Sequence, residues 1–378
     1  MLGLYIHVPF CKKICDYCDF SAFPAAEWLH LEYLKLLSEE FSCFCRSNPE
    51  ALSRVDTVYV GGGTPSVLKA PEIERLFQIL KDVGVPLENL RECSMEFNPE
   101  SVDEERVAVA MECGVDRISV GIQSFRQELL ERVGRSHDAS MGKDALVFLL
   151  ERRNLRVNAD LMFNLPGQDV DTLLADVSTL CDMGVSHVSL YGLKVDPRKR
   201  LGRRIAKGLE SVDEDLYAEM YERSVGLLES RGLQRYEVSN FAVPGEESVH
   251  NLNYWNRGEY LAFGPSSHGY LDGVRYSLPE SYAAWRRYVR LGCPRDLLST
   301  DRIGPEEAVA ECVQLSLRTR SGLSLDELAR MGREIPSAIL EKWEARGYLS
   351  LEDGRVRLTG RGFLFMDSVV LDLYSNLE

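Results

Sequence analysis

Over roughly its first 240 residues the chain alternates short β-branched runs with longer stretches whose apolar residues recur at helical spacing. A chain satisfies that pattern by laying parallel strands side by side and covering them with helices. The runs are Leu4–Phe10, Val55–Gly61, Glu92–Asn98, Arg117–Ser124, Arg156–Phe163 and His187–Lys194. Helices are expected between them, near residues 26–46, 71–83, 102–113, 139–153 and 170–183. Six such units leave two α/β architectures, a doubly wound open sheet and a full or partial βα barrel. Both place ligand chemistry beyond the carboxyl ends of the strands.

The pattern changes after residue 200. A helix-like stretch spans 213–231, a short strand is expected at Arg235–Asn240, and the aromatic, glycine-rich region His250–Tyr270 reads as structured loop. From about residue 300, helices near 304–317, 324–331 and 336–346 lead to a hairpin around Asp353-Gly354. Helices followed by a small hairpin suggest a winged-helix-like domain. Its candidate recognition helix, Ser337–Arg346, has balanced charge and no basic stripe, so DNA binding is not expected. The expected organisation is a (βα)6 unit over 1–200, an extension over 201–295 and a C-terminal domain over 296–378.

Forty-four Lys and Arg against 59 Asp and Glu give a net charge of −15, the opposite of a nucleic-acid footprint. No run of 18 apolar residues offers a transmembrane helix. Met1–Phe10 lacks the basic start and long apolar core of a signal peptide, so a cytoplasmic location is expected. Seven of the ten cysteines, Cys43, Cys45, Cys93, Cys113, Cys181, Cys293 and Cys312, lie scattered among apolar neighbours and read as small buried hydrophobes.

The other three, Cys11, Cys15 and Cys18, fall within eight residues just after the first run. Iron–sulfur clusters usually take four cysteine ligands, so three would leave one iron open to an exogenous ligand. A Cys3His zinc site using His7, or unligated thiols, would also satisfy the spacing. The second run ends in Gly61-Gly62-Gly63-Thr64-Pro65, where glycines permit close backbone approach. It lacks the P-loop and dinucleotide patterns, so a small zwitterion suits it better than a phosphate. Glu96, Gln123 and Asp160 end later runs, and Arg135 adds a fixed cation. A polar residue at several strand ends in series favours a polar ligand site.

The CxxxCxxC loop, Gly61–Pro65 and Met95-Glu-Phe-Asn-Pro99, in that order, resemble the radical S-adenosylmethionine (SAM) superfamily. The resemblance implies a 4Fe–4S cluster on Cys11, Cys15 and Cys18, with its open iron chelated by SAM. Tyr5–Cys11, Ser119–Ser124, Gly134–His137 and Asp160–Gln168 further resemble oxygen-independent coproporphyrinogen III oxidases, over nearly the whole chain. That likeness implies SAM contacts for Tyr5, Tyr17, Gly62, Gly63, Thr64, Glu96, Gln123, Arg135 and Asp160, some of them to a second SAM. His7 and His137 match too, but serve equally well as structural hydrogen-bonding partners.

Two departures separate members of this family. Where the oxidases carry a further cysteine, this chain has Phe20, and it carries His250-Asn251-Leu-Asn-Tyr254-Trp255, which looks like the HNxxYW signature of HemW-type heme chaperones. Both point toward a chaperone that binds heme and delivers it to apoproteins such as respiratory cytochromes, some at the membrane. An imidazole at 250 and a phenol at 254 are heme-iron ligand types, and Trp255 could stack on a macrocycle; a buried aromatic loop is the plainer reading. The alternative function is the oxidative decarboxylase itself. Val195–Arg200 replaces the acidic, glycine–threonine turn of the family, which puts the second SAM position in doubt. Arg275-Tyr-Ser277 lacks an expected asparagine, while Glu311–Arg318 and Gly322 match again.

Overall fold

A computed structural model describes residues 1–378. Six strands, Leu2–Val8, Thr57–Gly62, Glu92–Phe97, Arg117–Gln123, Arg156–Phe163 and His187–Gly192, lie side by side in chain order and all parallel. Each connection advances one position in the same direction, with no reversal of strand order. That selects the partial barrel over the doubly wound sheet. The intervening helices are Glu27–Ser47, Ala70–Asp82, Glu104–Glu112, Ala139–Leu150 and Val170–Met183. Asp103, Asp138 and Asp169 cap three of them by accepting from the amides of Arg106, Met141 and Thr172.

The barrel does not close. Beyond the first strand, Glu259–Phe263 adds in parallel, followed by antiparallel His268–Leu271, Val274–Ser277 and Ser299–Arg302. Beyond the sixth, Asn240–Ala242 and Gln234–Arg235 add antiparallel. The two edges do not pair, so one side of the barrel is open.

Strand periodicity decides what the barrel encloses. Successive side chains point to opposite faces. Leu4, Ile6, Val58, Val60, Met95, Phe97, Ile118, Val120, Ala159, Leu161, Val188 and Leu190 form one set and are buried in the core under the helices. The alternate set is Tyr5, Tyr59, Glu92, Ser94, Glu96, Arg117, Ser119, Asn158, Asp160, His187 and Ser189, all but Tyr5 joined in small groups by side-chain hydrogen bonds. Parallel strands covered on both faces are usually apolar throughout; these carry a polar lumen.

Three sequence expectations need correction. Arg235–Asn240 is not one strand: Glu237 accepts from Ser239 N at 3.2 Å and from the Asn240 amide, holding a turn between two short strands. His250–Tyr270 is not loop: Ser248 caps a helix at Val249–Trp255, and two strands follow. Of the seven scattered cysteines only Cys93 and Cys312 are buried. A final helix, Met366–Ser375, closes the C-terminal unit. The hairpin there matches expectation: Leu349–Glu352 and Arg355–Leu358 join through Asp353 (φ 52°) and Gly354 (φ 68°), both left-handed as the turn requires. No helix is long and apolar enough to cross a membrane.

One buried carboxyl outside the lumen should make stability depend on pH. Glu40 accepts from Gly264 N at 2.9 Å through one oxygen, while the other has no partner; burial pushes its carboxyl up to about 8. A carboxyl raised in the folded state binds its proton more tightly there than in the unfolded chain, so its contribution is lost as pH rises from the ordinary carboxylate range toward 8. Glu40→Gln should therefore shrink the fall in Tm between pH 6 and pH 9. An unchanged fall would show that Glu40 is not its source.

Candidate functional site

The cysteine loop lies at the carboxyl ends of the strands. Pro9 interrupts the first strand, Phe10–Cys11 forms a short strand with Phe23–Pro24, and Cys15 and Cys18 sit on the turn between. A chain of contacts crosses from Cys11 to Cys15. The Cys11 Sγ lies 3.4 Å from Thr64 Oγ1, which accepts from Asn98 Nδ2 at 3.2 Å. Asn98 Oδ1 in turn accepts from Arg135 Nη2 at 3.0 Å, and Arg135 Nη1 reaches Cys15 Sγ at 3.4 Å. Arg135 also donates to the carbonyl of Gly121 at 2.7 Å and keeps a buried Nε without a partner. Tyr17 packs against this guanidinium, and burial raises its phenol well above the usual range. Burial likewise pushes the Cys11 thiol up to about 11 and raises that of Cys18.

The glycine run is required first by the protein itself. A Cβ on Gly62, which has φ 115°, would lie 2.6 Å from the His7 ring, and one on Gly63 would lie 2.6 Å from the Phe10 carbonyl oxygen. His7 has both ring nitrogens engaged, Nδ1 with Tyr5 Oη at 3.1 Å and Nε2 with the Ser21 carbonyl at 2.9 Å. His137 has only Nε2 engaged, on the Ile122 carbonyl at 3.2 Å, and its buried Nδ1 has no hydrogen-bond partner.

Two carboxyls face the lumen below the rim. Glu96 accepts from Tyr59 Oη at 2.8 Å and Gly62 N at 3.1 Å, yet burial pushes it up to about 7. Asp160 accepts from Asn158 Nδ2 at 2.8 Å and from Ser119, and burial pushes it up to about 6. Both thus sit close to the pH at which their charge is set by what lies beside them. Gln123 ends its strand in the left-handed region at φ 65°, where the register slips by one residue. That bulge turns the side chain back over Gly121 beside Arg135.

His250, Asn251, Tyr254 and Trp255 lie apart from this rim. The helix Val249–Trp255 crosses the amino ends of the strands, and His250 is fully buried there, with Nδ1 2.9 Å from Thr57 Oγ1 and Nε2 2.7 Å from Tyr254 Oη. Burial lowers its imidazole to about 4, so it is neutral. Asn251, Tyr254 and Trp255 line a cavity of about 560 Å³ in the barrel's open side, together with Tyr191, Tyr260 and Tyr270 and three arginines, Arg257, Arg275 and Arg318. Glu311, Leu315 and Arg318 of the C-terminal unit form its outer wall. The Tyr59 ring joins the two regions: it lies 5.3 Å from His250, stacks on Tyr5 at 6.2 Å and bonds Glu96.

Residues 5–180 match the radical SAM superfamily model, and residues 303–365 match the HemN C-terminal domain. The heme chaperone HemW of Bacillus subtilis is 33% identical over 98% of this chain and 98% of its own length. The chain belongs to the HemW family. HemW of Escherichia coli is 31% identical over 98% of this chain and 97% of its own. Among solved structures, coproporphyrinogen III oxidase (HemN) from Escherichia coli, described as a radical SAM enzyme, superposes with a TM-score of 0.82 at 19% identity, covering 99% of this chain and 90% of that one. The fold is therefore shared with that oxidase. The radical SAM domain implies a 4Fe–4S cluster and SAM.

For this HemW-family chain the sequence reading missed residues that connect the ones it named. Asn98 links Thr64 to Arg135; it stood in the quoted motif, and its amide, able to donate and accept at once, was the available signal. Tyr59 carried none, because a strand tyrosine reads as core. The departure at Val195–Arg200 also gains a structural account. The helix Arg200–Ala206 that follows staples the cysteine loop: Asp16 accepts from Arg204 Nη1 at 3.0 Å, and its carbonyl accepts from Leu201 N at 2.8 Å.

Proposed function

We propose that this chain is a radical-SAM-type heme chaperone, whose barrel rim holds the 4Fe–4S cluster and SAM and whose side cavity receives heme. The observation that carries the reading is the coexistence, in one barrel, of a three-thiol rim and, at its open side, an aromatic cavity edged by guanidinium groups that suit the carboxylates of a tetrapyrrole. The donor set fits a cluster. Cys11, Cys15 and Cys18 lie on one loop at the rim, where they would bind three irons and leave the fourth open to SAM. His7, which a Cys3His zinc site would need, is engaged at both nitrogens. When bound, the cluster supplies a single low-potential electron to the sulfonium of SAM.

The remaining roles belong to the protein. Tyr5, Tyr17, Gly62, Gly63, Thr64, Glu96, Gln123, Arg135 and Asp160 ring the rim and upper lumen and would hold SAM, with Glu96 and Asp160 offered to its cationic groups. Tyr254, Trp255 and Asn251 would face heme, while His250 holds the Tyr254 hydroxyl in place from beneath. Phe20, 64% exposed on the outer side of the loop, stands where the oxidases carry a cysteine, which disfavours the decarboxylase. Delivery to apo-hemoproteins from the cytoplasmic side belongs to the same proposal.

Hemin titrated into the purified protein should give a saturable, stoichiometric Soret band. Tyr254→Phe should weaken binding about tenfold, or about 1.4 kcal/mol. His250→Ala should weaken the band less. No saturable band in the unaltered protein would end this reading; protoporphyrinogen formed from coproporphyrinogen in an anaerobic assay would establish the oxidase instead.

A further inference from the structure

Cys43 and Cys293 lie outside the site described above. Cys43 sits in the last turns of the Glu27–Ser47 helix, and Cys293 follows the helix Tyr282–Arg290. Glu32 holds the two helices together, accepting from Arg290 Nη2 at 2.9 Å and pairing with Arg286 at 3.6 Å. Both cysteines line a second cavity of about 380 Å³, walled by Phe44, Phe263, Tyr276 and Tyr288. Both are half-buried in that one cavity wall, and after burial the Cys43 side chain is among the groups that raise the Cys293 thiol.

Two local features orient the pair. Arg46 Nη2 donates to Cys43 Sγ at 3.0 Å, placing a cation at that sulfur. Gly292 (φ 83°) and Cys293 (φ 57°) are both left-handed, a conformation a cysteine seldom adopts, and the turn is fixed by Cys293 N donating to the Tyr288 carbonyl at 3.1 Å. Residues held in such conformations mark places where the surrounding structure has fixed the chain against its preference.

We propose that Cys43 and Cys293 form a reversible disulfide, a peroxide-responsive modification site that fastens the two helices together. The Cys43 thiolate attacks one oxygen of a peroxide; the S–O bond forms, the O–O bond breaks, and the departing hydroxide takes a proton to leave as water. Cys293 sulfur then attacks the Cys43 sulfenic acid; the S–S bond forms, the S–O bond breaks, and the second water leaves with the Cys293 proton. Two thiols are oxidised and one hydrogen peroxide becomes two waters. An external dithiol reverses the step by exchange. Arg46 donates to the Cys43 sulfur, which assigns Cys43 the attack on peroxide and leaves Cys293 to resolve.

The test uses the full-length protein and stoichiometric hydrogen peroxide, followed by blocking of free thiols and peptide mapping. The expected product is a Cys43–Cys293 linked peptide that dithiothreitol removes. Cys293→Ser should instead accumulate a dimedone adduct on Cys43, and Cys43→Ser should give neither product. Oxidised protein should melt several degrees higher than reduced protein, and the double variant Cys43→Ala/Cys293→Ala should show no such difference. Absence of the linked peptide while Cys11, Cys15 and Cys18 are oxidised would overturn the proposal. So would equal dimedone labelling of Cys43 with and without Cys293.

Discussion

Cys15→Ala protein, reconstituted anaerobically with iron and sulfide, should stay colourless, while unaltered protein takes up roughly four irons per chain and gains the broad absorbance near 400 nm. Cys15 is the thiol that Arg135 reaches, so its loss removes one of the three corners of the donor set and frees a guanidinium already carrying a partnerless Nε. Cys181→Ala, on a helix remote from the rim, should load normally. Equal iron content in the two variants would contradict assignment of the cluster to the loop. Since the chain folds around the loop through Asp16 and the Arg200–Ala206 helix, Cys15→Ala should keep its Tm within a few degrees of the apo protein. The loss would then be one of ligation, not folding.

Glu92→Ala should be the most destabilising single substitution in the lumen. The carboxylate is fully buried at the amino end of the third strand, accepting from Arg117 Nε at 3.0 Å, Ser248 Oγ at 2.9 Å, Val249 N at 2.9 Å and His250 N at 3.1 Å. Removing it strands a buried guanidinium and orphans the first amides of the Val249–Trp255 helix. Breaking such a pair costs about 3–5 kcal/mol. Burial alone would raise this carboxyl, but Arg117, the two amides and Ser248 outweigh it and hold it below the ordinary range. A depressed carboxyl contributes stability above its unfolded value, and that contribution is lost as pH falls through the folded one. The gap between unaltered and Glu92→Ala protein in urea midpoint should therefore be full at pH 7 and narrow only below about pH 4. A gap under 1 kcal/mol at pH 7 would show that this network does not anchor the helix. The same variant should bind hemin more weakly, because His250 and Tyr254 ride on that helix.

The barrel was legible because its strands end at readable signals. Pro9 and Pro99 stop runs, Asp103, Asp138 and Asp169 start helices, and the observed strands differ from the expected ones mainly by a residue or two at their ends. The rim was legible because three thiols, three glycines and a series of polar strand ends fall at the same structural level. The region 235–270 was not. A seven-residue helix carries less than two full turns of periodicity, and the turn at Tyr236–Ser239 is built by a buried glutamate, whose placement depends on partners far away in the chain. Nor could the chain alone show that His250 faces the amino ends of the strands, opposite the cysteines. Its partners outside its own helix, Thr57 and Glu92, come from two different strands. That Cys43 and Cys293 line one cavity was hidden for the same reason.

A barrel left unsealed along one seam can admit a flat molecule edge-on without any strand parting from its neighbour. Here the missing side is supplied by the helix Pro305–Ser316 and its neighbours, tethered across the gap by Arg275 on Glu311 and Arg257 on Glu327. On this side the cover is thus held by partly exposed ion pairs, which salt weakens, while at the other edge the Glu237–Thr319 backbone bridge holds it independently of salt.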